Sequence, residues 1–321
     1  MRFKAIIKAI KNYRKRLNDY YNIIRAKCDI SKMRFLVDAF YCHFRYNCCV
    51  NDYVKHQFYR LNKIGRKGFI TAYPAIEFAQ KNNDRDSAEI ATDKEKALNT
   101  LSAYITRDWC GPKYHNSKEE CEQFTKKHSK CIVKPLRLSY GEGIRVADTS
   151  EFDVEGGLYN AINKNGDFLV EELIVQCEEL SRIHPSSVNT LRITYFDERI
   201  VAVSLRMGVG GNSVDNIGSG GLFADVDIES GIVCSAAFDD NMNSYLVHPD
   251  TGVIIPGIRI PFWKECVAYS KKVRDVLPGL RLTGLDIAVT DNGPVLVEIN
   301  SQPDLYMHQN PHNTGIAMLL K

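Results

Sequence analysis

Hydrophobic residues in the first part of the chain recur every three or four positions. Phe3, Ile6, Ile10, Tyr13 and Leu17 follow this spacing, which is the period of an amphipathic α-helix. Lys and Arg fill many of the positions between them, so the opposite face of this helix is predicted to be basic. The aromatic-rich sequence that follows, to about residue 81, predicts further helices. Aromatic side chains at this density usually form a core rather than a platform for nucleic-acid bases.

The pattern changes to strands near residue 130. Ser117 followed by Glu120 has the spacing of a capping box, which predicts a helix that begins there. Short apolar runs then predict strands, and from residue 189 alternating apolar and polar positions predict mainly β-structure. A helix is predicted near residues 260–277, and another helical segment at the C-terminus. The predicted strands are residues 131–135, 144–147 and 168–174 and the segments NTLRITYF, RIVAVSLRMG, GLFADVDI and GIVCSAAF.

Residues 285–299 predict a hairpin of two apolar strands with a turn at 291–293. Successive side chains of a strand point to opposite faces, so Glu298 and Asn300 are expected on one face. Asp286 begins the first strand of the hairpin. Three oxygen donors converging from paired strands suit Mg²⁺. The alternative is a solvated hairpin face, which the apolar flanking residues disfavour.

Composition and charge narrow the class of protein. The chain has 321 residues, 44% hydrophobic and 25% charged, which is typical of a globular protein and excludes a disordered or fibrous one. The net charge of +3 is too small to indicate a nucleic-acid partner, but residues 1–34 hold eleven Lys/Arg against two Asp. Two hypotheses remain for this segment: contact with a membrane or a glycosyltransferase, or a solvated basic face on its own domain. Lys residues interrupt it too often for a signal peptide or a membrane span.

The ten cysteines do not follow the spacing of a zinc site, and no CxxC pair occurs. In a chain of this size they are expected to be reduced and mostly packed as small apolar side chains. We therefore expect a cytoplasmic protein, with peripheral contact at the inner face of a membrane as the variant that the basic N-terminus allows.

A glycine-rich loop directly follows the strand that carries Lys134. Its backbone N–H groups could surround phosphate oxygens, and the lysine would add a point charge. The loop returns into a strand, so it is a flap between strands rather than a P-loop. Most sequences of this kind are only turns, and the lysine is what favours phosphate binding. The candidate residues of the loop are Ser139, Tyr140, Gly141 and Gly143.

Polar residues on later strands extend the candidate site. A strand end at Glu171, Glu172 and Leu173 could present its backbone to an adenine edge, or it is an ordinary exposed strand end. Arg192 and Arg206 lie in apolar strands, where an arginine is costly unless it is paired. Their partner could be a phosphate or a carboxylate of a ligand, or an acid of the protein itself.

In this order the elements resemble the ATP-grasp superfamily, and more narrowly its sugar-transfer-associated members. The resemblance runs from about residue 93 to the C-terminus. It implies an α+β ATP-grasp fold, in which two α+β subdomains, residues 93–180 and 181–321, grip ATP. A helical, aromatic-rich region, residues 1–92, would precede them. The stretches that carry the narrower resemblance are FLVEELIVQCEELSRIHPSSVNTLRI, VDNIGSGGLFADVD, HPDTGVIIPGIRIP and GLDIAVTDNGPVLVEINSQPD.

The resemblance also implies a role for each candidate residue. Lys134 would contact the α-phosphate and adenine edge of ATP, and Lys94 would be a second nucleotide lysine. Glu171, with the backbone of Glu172 and Leu173, would hold adenine, and the glycine loop would cover the phosphates. Asp286, Glu298 and Asn300 would bind Mg²⁺, with Glu298 between two ions.

The implied activity is an ATP- and Mg²⁺-dependent ligation of a carboxylate to an amine through an acyl-phosphate. The substrates would be an amino acid or amine and a sugar (uronic) acid, in surface or capsule polysaccharide biosynthesis. A phosphotransferase acting on a hydroxyl and a nucleotide-binding accessory protein of a glycosyltransferase are the alternatives.

Two positions depart from the family pattern. Gly284 stands where many ATP-grasp ligases have an arginine, and Asp304 stands where many have a glycine. Arg192 or Arg206 is therefore expected to stabilise the negative charge of the reacting group as the catalytic arginine.

Overall fold

The computed structural model of the protein describes residues 2–137, 142–152, 157–211, 215–310 and 315–321. The chain divides into two compact units, Met1–Phe78 with Asp304–Lys321, and Ala79–Pro303. The subdomain boundaries predicted after residues 92 and 180 stay predictions.

Helices dominate the first hundred residues, and short helices recur between the later strands. In the described part of the chain they are α1 (Arg2–Lys27), α2 (Lys32–Tyr46), α3 (Val50–Lys55), α4 (Lys63–Arg66), α5 (Ala72–Asn82), α6 (Arg85–Thr92), α7 (Lys94–Thr100), α8 (Lys118–Lys127), α9 (Gly157–Asn165), α10 (Glu178–Ser181) and α11 (Trp263–Asp275).

The strands belong to two sheets, both in the second unit. In the described part of the chain they are β1 (Trp109–Cys110), β2 (Lys130–Pro135), β3 (Arg145–Asp148), β4 (Phe168–Glu172), β5 (Thr190–Phe196), β6 (Arg199–Met207), β7 (Leu222–Asp225), β8 (Ala237–Phe238), β9 (Ser244–Tyr245), β10 (Leu282–Thr290) and β11 (Gly293–Asn300).

The first unit contains most of the predicted helical, aromatic-rich region, residues 1–92. Its core includes the buried rings of Phe35, Tyr53 and Phe58. Asp38 accepts hydrogen bonds from Tyr53 Oη at 2.8 Å and from Arg66 Nη2 at 2.6 Å. Burying the Arg66 guanidinium is tolerated because this carboxylate pairs with it. Many of the aromatic side chains therefore form a core, as predicted, while others, such as Phe40 and Phe44, are exposed.

The larger sheet of the second unit is antiparallel. Among the described residues its strand order is β11-β10-β5-β6-β7-β8-β9. One face packs on α11, and the core between them includes Leu191, Leu285, Ile287 and Val273. The hairpin predicted near residues 285–299 is the β10–β11 pair. It is longer than predicted, because Thr290 already pairs with Gly293.

The smaller sheet has the strand order β1-β4-β2-β3 in the described part of the chain. Helices α8 and α9 cover it, with Phe124 and Ile162 in the shared core. The predicted capping box is present: Ser117 Oγ accepts from Glu120 N at 3.1 Å, and Glu120 Oε2 accepts from Ser117 N at 3.0 Å. This local motif was correctly read because it depends on only four consecutive residues.

Two predicted elements are wrong. Residues 231–238 form isolated bridges and only the two-residue strand β8, because Ile232 pairs with Arg259 instead of continuing a ladder. The predicted C-terminal helical segment is a set of turns over residues 315–321. Such short segments carry too few residues for hydrophobic periodicity to decide their structure.

All ten cysteines lie in the described part of the chain, and each is a free thiol. Seven of them are buried, among them Cys42, Cys131 and Cys266, which agrees with packing as small apolar residues. Among the described helices, none combines the length and the apolar character that a bilayer span needs.

Candidate functional site

A bulge in β11 decides which side chains face the site. Leu296 and Ile299 both lie in the hydrophobic core, although they are three residues apart. Between them Val297 and Glu298 face only one residue of β10, Asp286. A regular strand would have turned Leu296 and Glu298 to the same side. The extra residue lets both apolar side chains pack inward while Glu298 lies opposite Asp286.

Asn300 completes this face of the hairpin. It pairs with Gly284, two positions from Asp286, and its Nδ2 lies 3.5 Å from Asp286 Oδ2. The three residues predicted to bind Mg²⁺ are thus brought together. Their role as metal ligands stays a prediction.

Two arginines from neighbouring strands bind Asp286. Arg192 lies directly across from it on β5, and donates from Nε to Oδ1 at 2.5 Å and from Nη2 to Oδ2 at 2.9 Å. Arg206 on β6 donates from Nη1 to the same Oδ2 at 3.0 Å. All three residues are buried. The sequence left open whether these arginines pair with a ligand or with an acid of the protein. In the structure, both arginines bind the Asp286 carboxylate.

These contacts set the charge of Asp286. Burial alone would raise the pKa of its carboxyl, but the charges of Arg192 and Arg206 and their hydrogen bonds outweigh it and hold the pKa at about 2. Asp286 is therefore ionised at neutral pH, with its charge balanced by two fixed guanidinium groups.

Glu298 has a different environment. Its side chain is exposed to solvent, and several charged groups act on its carboxyl. Reduced hydration raises the pKa of its carboxyl, and the charge of Asp286 raises it further. Lys134, Arg192 and Lys94 act in the opposite direction. An accessible carboxylate thus lies close to several cations.

Glu171 on β4 is the centre of a second buried ion cluster. Lys134 Nζ on β2 lies 2.7 Å from its Oε1, and Arg107 Nε donates to its Oε2. Glu171 is only 3% exposed. Burial by itself would raise the pKa of this carboxyl, but Arg107 and Lys134 hold it at about 2. Glu171 therefore fixes the position of Lys134 rather than pointing into open solvent.

Arg107 connects this cluster to the bulge of β11. Its Nη1 donates to Leu296 O at 2.5 Å and its Nη2 to Val297 O at 3.3 Å. The bulge leaves these carbonyl groups available because it interrupts the regular ladder. One guanidinium thus links the smaller sheet, through Glu171, to the β10–β11 hairpin of the larger sheet.

Lys94 is the first residue of α7, which Asp93 caps through hydrogen bonds from Glu95 N and Lys96 N, both at 3.2 Å. Its Nζ donates to Pro135 O, at the end of β2, at 2.5 Å. Burial lowers the pKa of this lysine, which the charge of Glu298 opposes. Lys94, Lys134, Glu171 and Glu298 therefore form one electrostatic group.

The remaining candidates are less closely involved. Glu172 binds Asp108 twice: its N donates to Asp108 O at 2.9 Å, and its Oε2 accepts from Asp108 N at 3.0 Å. Leu173 follows the end of β4 and is half-buried. Gly143 has φ 73°, which glycine adopts without strain. Ser139, Tyr140 and Gly141 lie outside the described residues.

Sequence reasoning missed two residues of this site. Asp215 pairs with Arg206 at 3.0 Å and accepts a hydrogen bond from Thr190 N at 3.0 Å, so it holds Arg206 beside Asp286. Arg107 is the other. Arg107 lies in no motif, and its partners are far away in the sequence, whereas Asp215 lies in the segment VDNIGSGGLFADVD that carries the family resemblance. The available signals were an arginine next to the apolar strand β1 for Arg107 and an acid within that segment for Asp215.

With this geometry described, comparison with known families is informative. A family model described as sugar-transfer associated ATP-grasp matches residues 73–321. The chain belongs to this family. The ATP-grasp fold predicted from the sequence is thereby confirmed, and the helical residues 1–72 lie outside the matched region.

Solved structures similar to this ATP-grasp chain include three ligases or synthetases. The PsnB ligase complexed with minimal precursor, Mg and ADP is 14% identical, with a TM-score of 0.43, over 74% of this chain and 60% of that one. The D-alanine–D-alanine ligase of Bacillus anthracis complexed with ATP is 16% identical, with a TM-score of 0.41, over 70% and 60%. The D-cycloserine synthetase DcsG is 14% identical, with a TM-score of 0.39, over 85% and 82%.

The chain spans about three fifths of the length of the first two of these proteins. Comparison with curated proteins gives no match.

The residues fit the ligands that this fold implies. Mg²⁺ takes carboxylate and amide oxygens, and the hairpin face offers Asp286, Glu298 and Asn300. ATP needs cations for its phosphates, and the charges of Lys94 and Lys134 both act on the Glu298 carboxyl.

Proposed function

We propose that this protein is an ATP- and Mg²⁺-dependent ligase that joins a carboxylate to an amine through an acyl-phosphate. The observation that carries the proposal is the accessible Glu298 carboxylate, opposite Asp286 and within the electrostatic reach of Lys94 and Lys134. Anionic and cationic groups that act on one another at an accessible carboxylate suit a nucleotide with its metal ion. Either set of groups alone would not distinguish a nucleotide site from a surface ion cluster.

When bound, ATP with Mg²⁺ supplies an activated phosphoryl group and neutralises its charge. The residues of this chain would bind and orient the nucleotide and the metal ion. Lys94 and Lys134 would hold phosphate oxygens, and Asp286, Glu298 and Asn300 would hold the metal. Glu171 and Arg107 keep Lys134 and the hairpin in position.

The charge of the reacting carboxylate also needs stabilisation. Arg192 and Arg206 are the proposed source, since Gly284 replaces the arginine common in such ligases. Both guanidinium groups already bind Asp286, so they hold its charge and would act on the substrate from fixed positions. Adenine would lie against Glu171, Glu172 and Leu173, and the loop of residues 139–143 would cover the phosphates and exclude water.

The family name supports a sugar-linked substrate. We infer that one substrate is a sugar acid, such as a uronic acid, that the other is an amino acid or amine, and that the product enters surface polysaccharide or capsule biosynthesis. The proposed reaction needs ATP, and the ten cysteines are free thiols. Both points agree with a reaction in the cytoplasm.

The test measures ADP release by purified protein with ATP, Mg²⁺ and a panel of uronic acids paired with amino acids. We expect release only with a productive pair, and an amide product by mass spectrometry. Replacing Glu298→Gln should lower the rate by about a hundredfold or more, since electrostatic and metal-binding groups commonly contribute that much. The exposed Glu119→Gln in α8 is the matched control and should retain the rate.

Full activity in a folded Glu298→Gln protein would refute the site. A stable phosphorylated product formed without an amine would support the phosphotransferase alternative instead. ATP binding with no turnover across the panel would favour the accessory protein.

A further inference from the structure

Helix α2 carries an apolar stripe on its solvent side. Met33, Val37, Phe40 and Phe44 are 70%, 62%, 67% and 72% exposed, and Tyr41 is 40% exposed. At about 100° per residue these five positions fall within an arc of roughly 100°, so they form one continuous band. We call these five residues the α2 stripe.

The stripe is not the core-facing side of the helix. Phe35, Ala39 and Cys42, on the opposite side of α2, are buried in the core of the first unit. The rings of Phe40 and Phe44 pack on each other, edge to face, with centroids 4.8 Å apart. A helix of an isolated soluble protein normally has polar residues on this side, and a contiguous exposed apolar band marks an interaction surface.

Cations border the stripe. Arg34 and Arg45 are exposed and lie beside Tyr41 on the helix surface. The single acid of α2, Asp38, is bound to Arg66. Residues 1–78 together hold seventeen Lys/Arg and five Asp/Glu, a net charge of +12, whereas the whole chain carries only +3. The positive charge of this protein is therefore concentrated in the unit that carries the stripe.

We propose that the α2 stripe binds the surface of an anionic membrane. An aromatic and aliphatic band bordered by Arg is the composition of a helix that lies in the headgroup region, with its apolar side chains towards the acyl chains. Positive charge of this size attracts anionic lipids. No acid on the exposed side of α2 opposes this attraction. The convex surface of a single helix suits a lipid surface, which adapts to it, better than a protein partner that would need a matching groove.

The α2 stripe overlaps the basic N-terminal segment that sequence analysis singled out, residues 1–34, only at Met33. The stripe lies in residues 33–44, and its five side chains supply apolar contact that charge alone does not. The proposal is independent of the proposed ligase activity, because it uses none of the residues of that site.

The test is co-sedimentation of the full-length protein with vesicles of phosphatidylcholine, with and without phosphatidylglycerol. We expect binding to the anionic vesicles that weakens as salt is added, and little binding to phosphatidylcholine alone. The variant Phe40→Ser/Phe44→Ser should lower the partition coefficient by about tenfold or more, because it removes most of the buried apolar area. Both rings are exposed, so its thermal unfolding midpoint should match that of the wild type.

The matched control is Leu246→Ser/Ile254→Ser, which removes two side chains that are 65% and 69% exposed in the second unit. It should leave vesicle binding unchanged. In a separate measurement, the tryptophan fluorescence of the variant Phe40→Trp should shift to shorter wavelengths when anionic vesicles are added.

Three results would overturn the proposal. These are no binding of the wild type to anionic vesicles, equal binding of Phe40→Ser/Phe44→Ser, and a wild-type dimer that this variant dissociates in sedimentation velocity. The last result would identify the α2 stripe as an interface between two copies of the chain.

Discussion

Gly284 has a steric role at the centre of the candidate site. A Cβ atom at this position would lie 2.8 Å from Pro303 Cβ and 3.1 Å from Arg192 Cδ. The side chain of Arg192 therefore passes over Gly284 on its way to Asp286. Many ATP-grasp ligases have an arginine at this position of the strand. In this chain the position is Gly284 on β10, and the side chain of Arg192 from the neighbouring strand β5 fills the space.

The first prediction follows from this crowding. Gly284→Ala should displace Arg192, destabilise the fold by about 1–3 kcal/mol, as overpacking typically does, and lower ADP release by about tenfold. Denaturant unfolding and the ADP assay measure the two effects. Gly211→Ala is the control, because a Cβ at Gly211 meets nothing within 4 Å. Unchanged stability and activity in Gly284→Ala would mean that a small backbone shift relieves the contact.

At the scale of elements, the bulge in β11 and the side chain of Arg107 act together. The bulge turns Glu298 to the site face and leaves the carbonyl groups of Leu296 and Val297 to accept from Arg107. Arg107 also binds Glu171, which holds Lys134. The position of a strand in the smaller sheet is thus coupled to the shape of a hairpin in the larger one.

Replacing Arg107→Lys tests this coupling. Lysine keeps the charge but cannot form the forked set of hydrogen bonds, so we expect a loss of about 2–3 kcal/mol of stability. Because Arg107 positions Lys134 rather than touching substrate, KM for ATP should rise more than kcat falls. The exposed Arg281→Lys, which breaks a bidentate pair with Asp197, should leave both stability and KM nearly unchanged. A fall in kcat with no change in KM for ATP would contradict the positioning role of Arg107.

For the whole molecule, buried carboxylates link stability to pH. Asp286 and Glu171 both have a pKa of about 2 in the folded protein, below the ordinary values of 3.8 and 4.5. A carboxyl whose pKa is lowered in the folded protein stabilises the fold at pH values above its ordinary pKa. This stabilisation is lost as the pH falls towards the pKa of the folded state. Glu298 has the opposite sign, because its pKa is raised.

We therefore expect stability to fall steeply between about pH 4.5 and pH 2, with Glu171 contributing on the order of 3 kcal/mol. Urea unfolding across this range measures the slope. Glu171→Gln should be less stable at neutral pH, since Arg107 and Lys134 lose their partner, and its slope should be shallower. The exposed Glu119→Gln should reproduce the wild-type slope, and a Glu171→Gln protein with that same slope would refute the assignment.

The sequence by itself determined the features that depend on neighbours along the chain. The capping box at Ser117 needs four residues, and the period of apolar side chains suffices for the helices of the first unit and for the β10–β11 hairpin. The same period placed Glu298 and Asn300 on one face, and the order of motifs indicated the ATP-grasp family.

Tertiary structure decided the features that depend on pairing between distant strands. Strict alternation would place Leu296 and Glu298 together, and only the register with β10 creates the bulge that separates them. Arg192 meets Asp286 because antiparallel pairing of β5 with β10 brings together residues 94 positions apart, and register leaves no local signal. Asp215 lies outside the strands, and only the folded chain shows that it reaches Arg206. The exposure of the α2 stripe was decided in the same way. Periodicity predicts an apolar face, but only packing shows which apolar face remains in solvent.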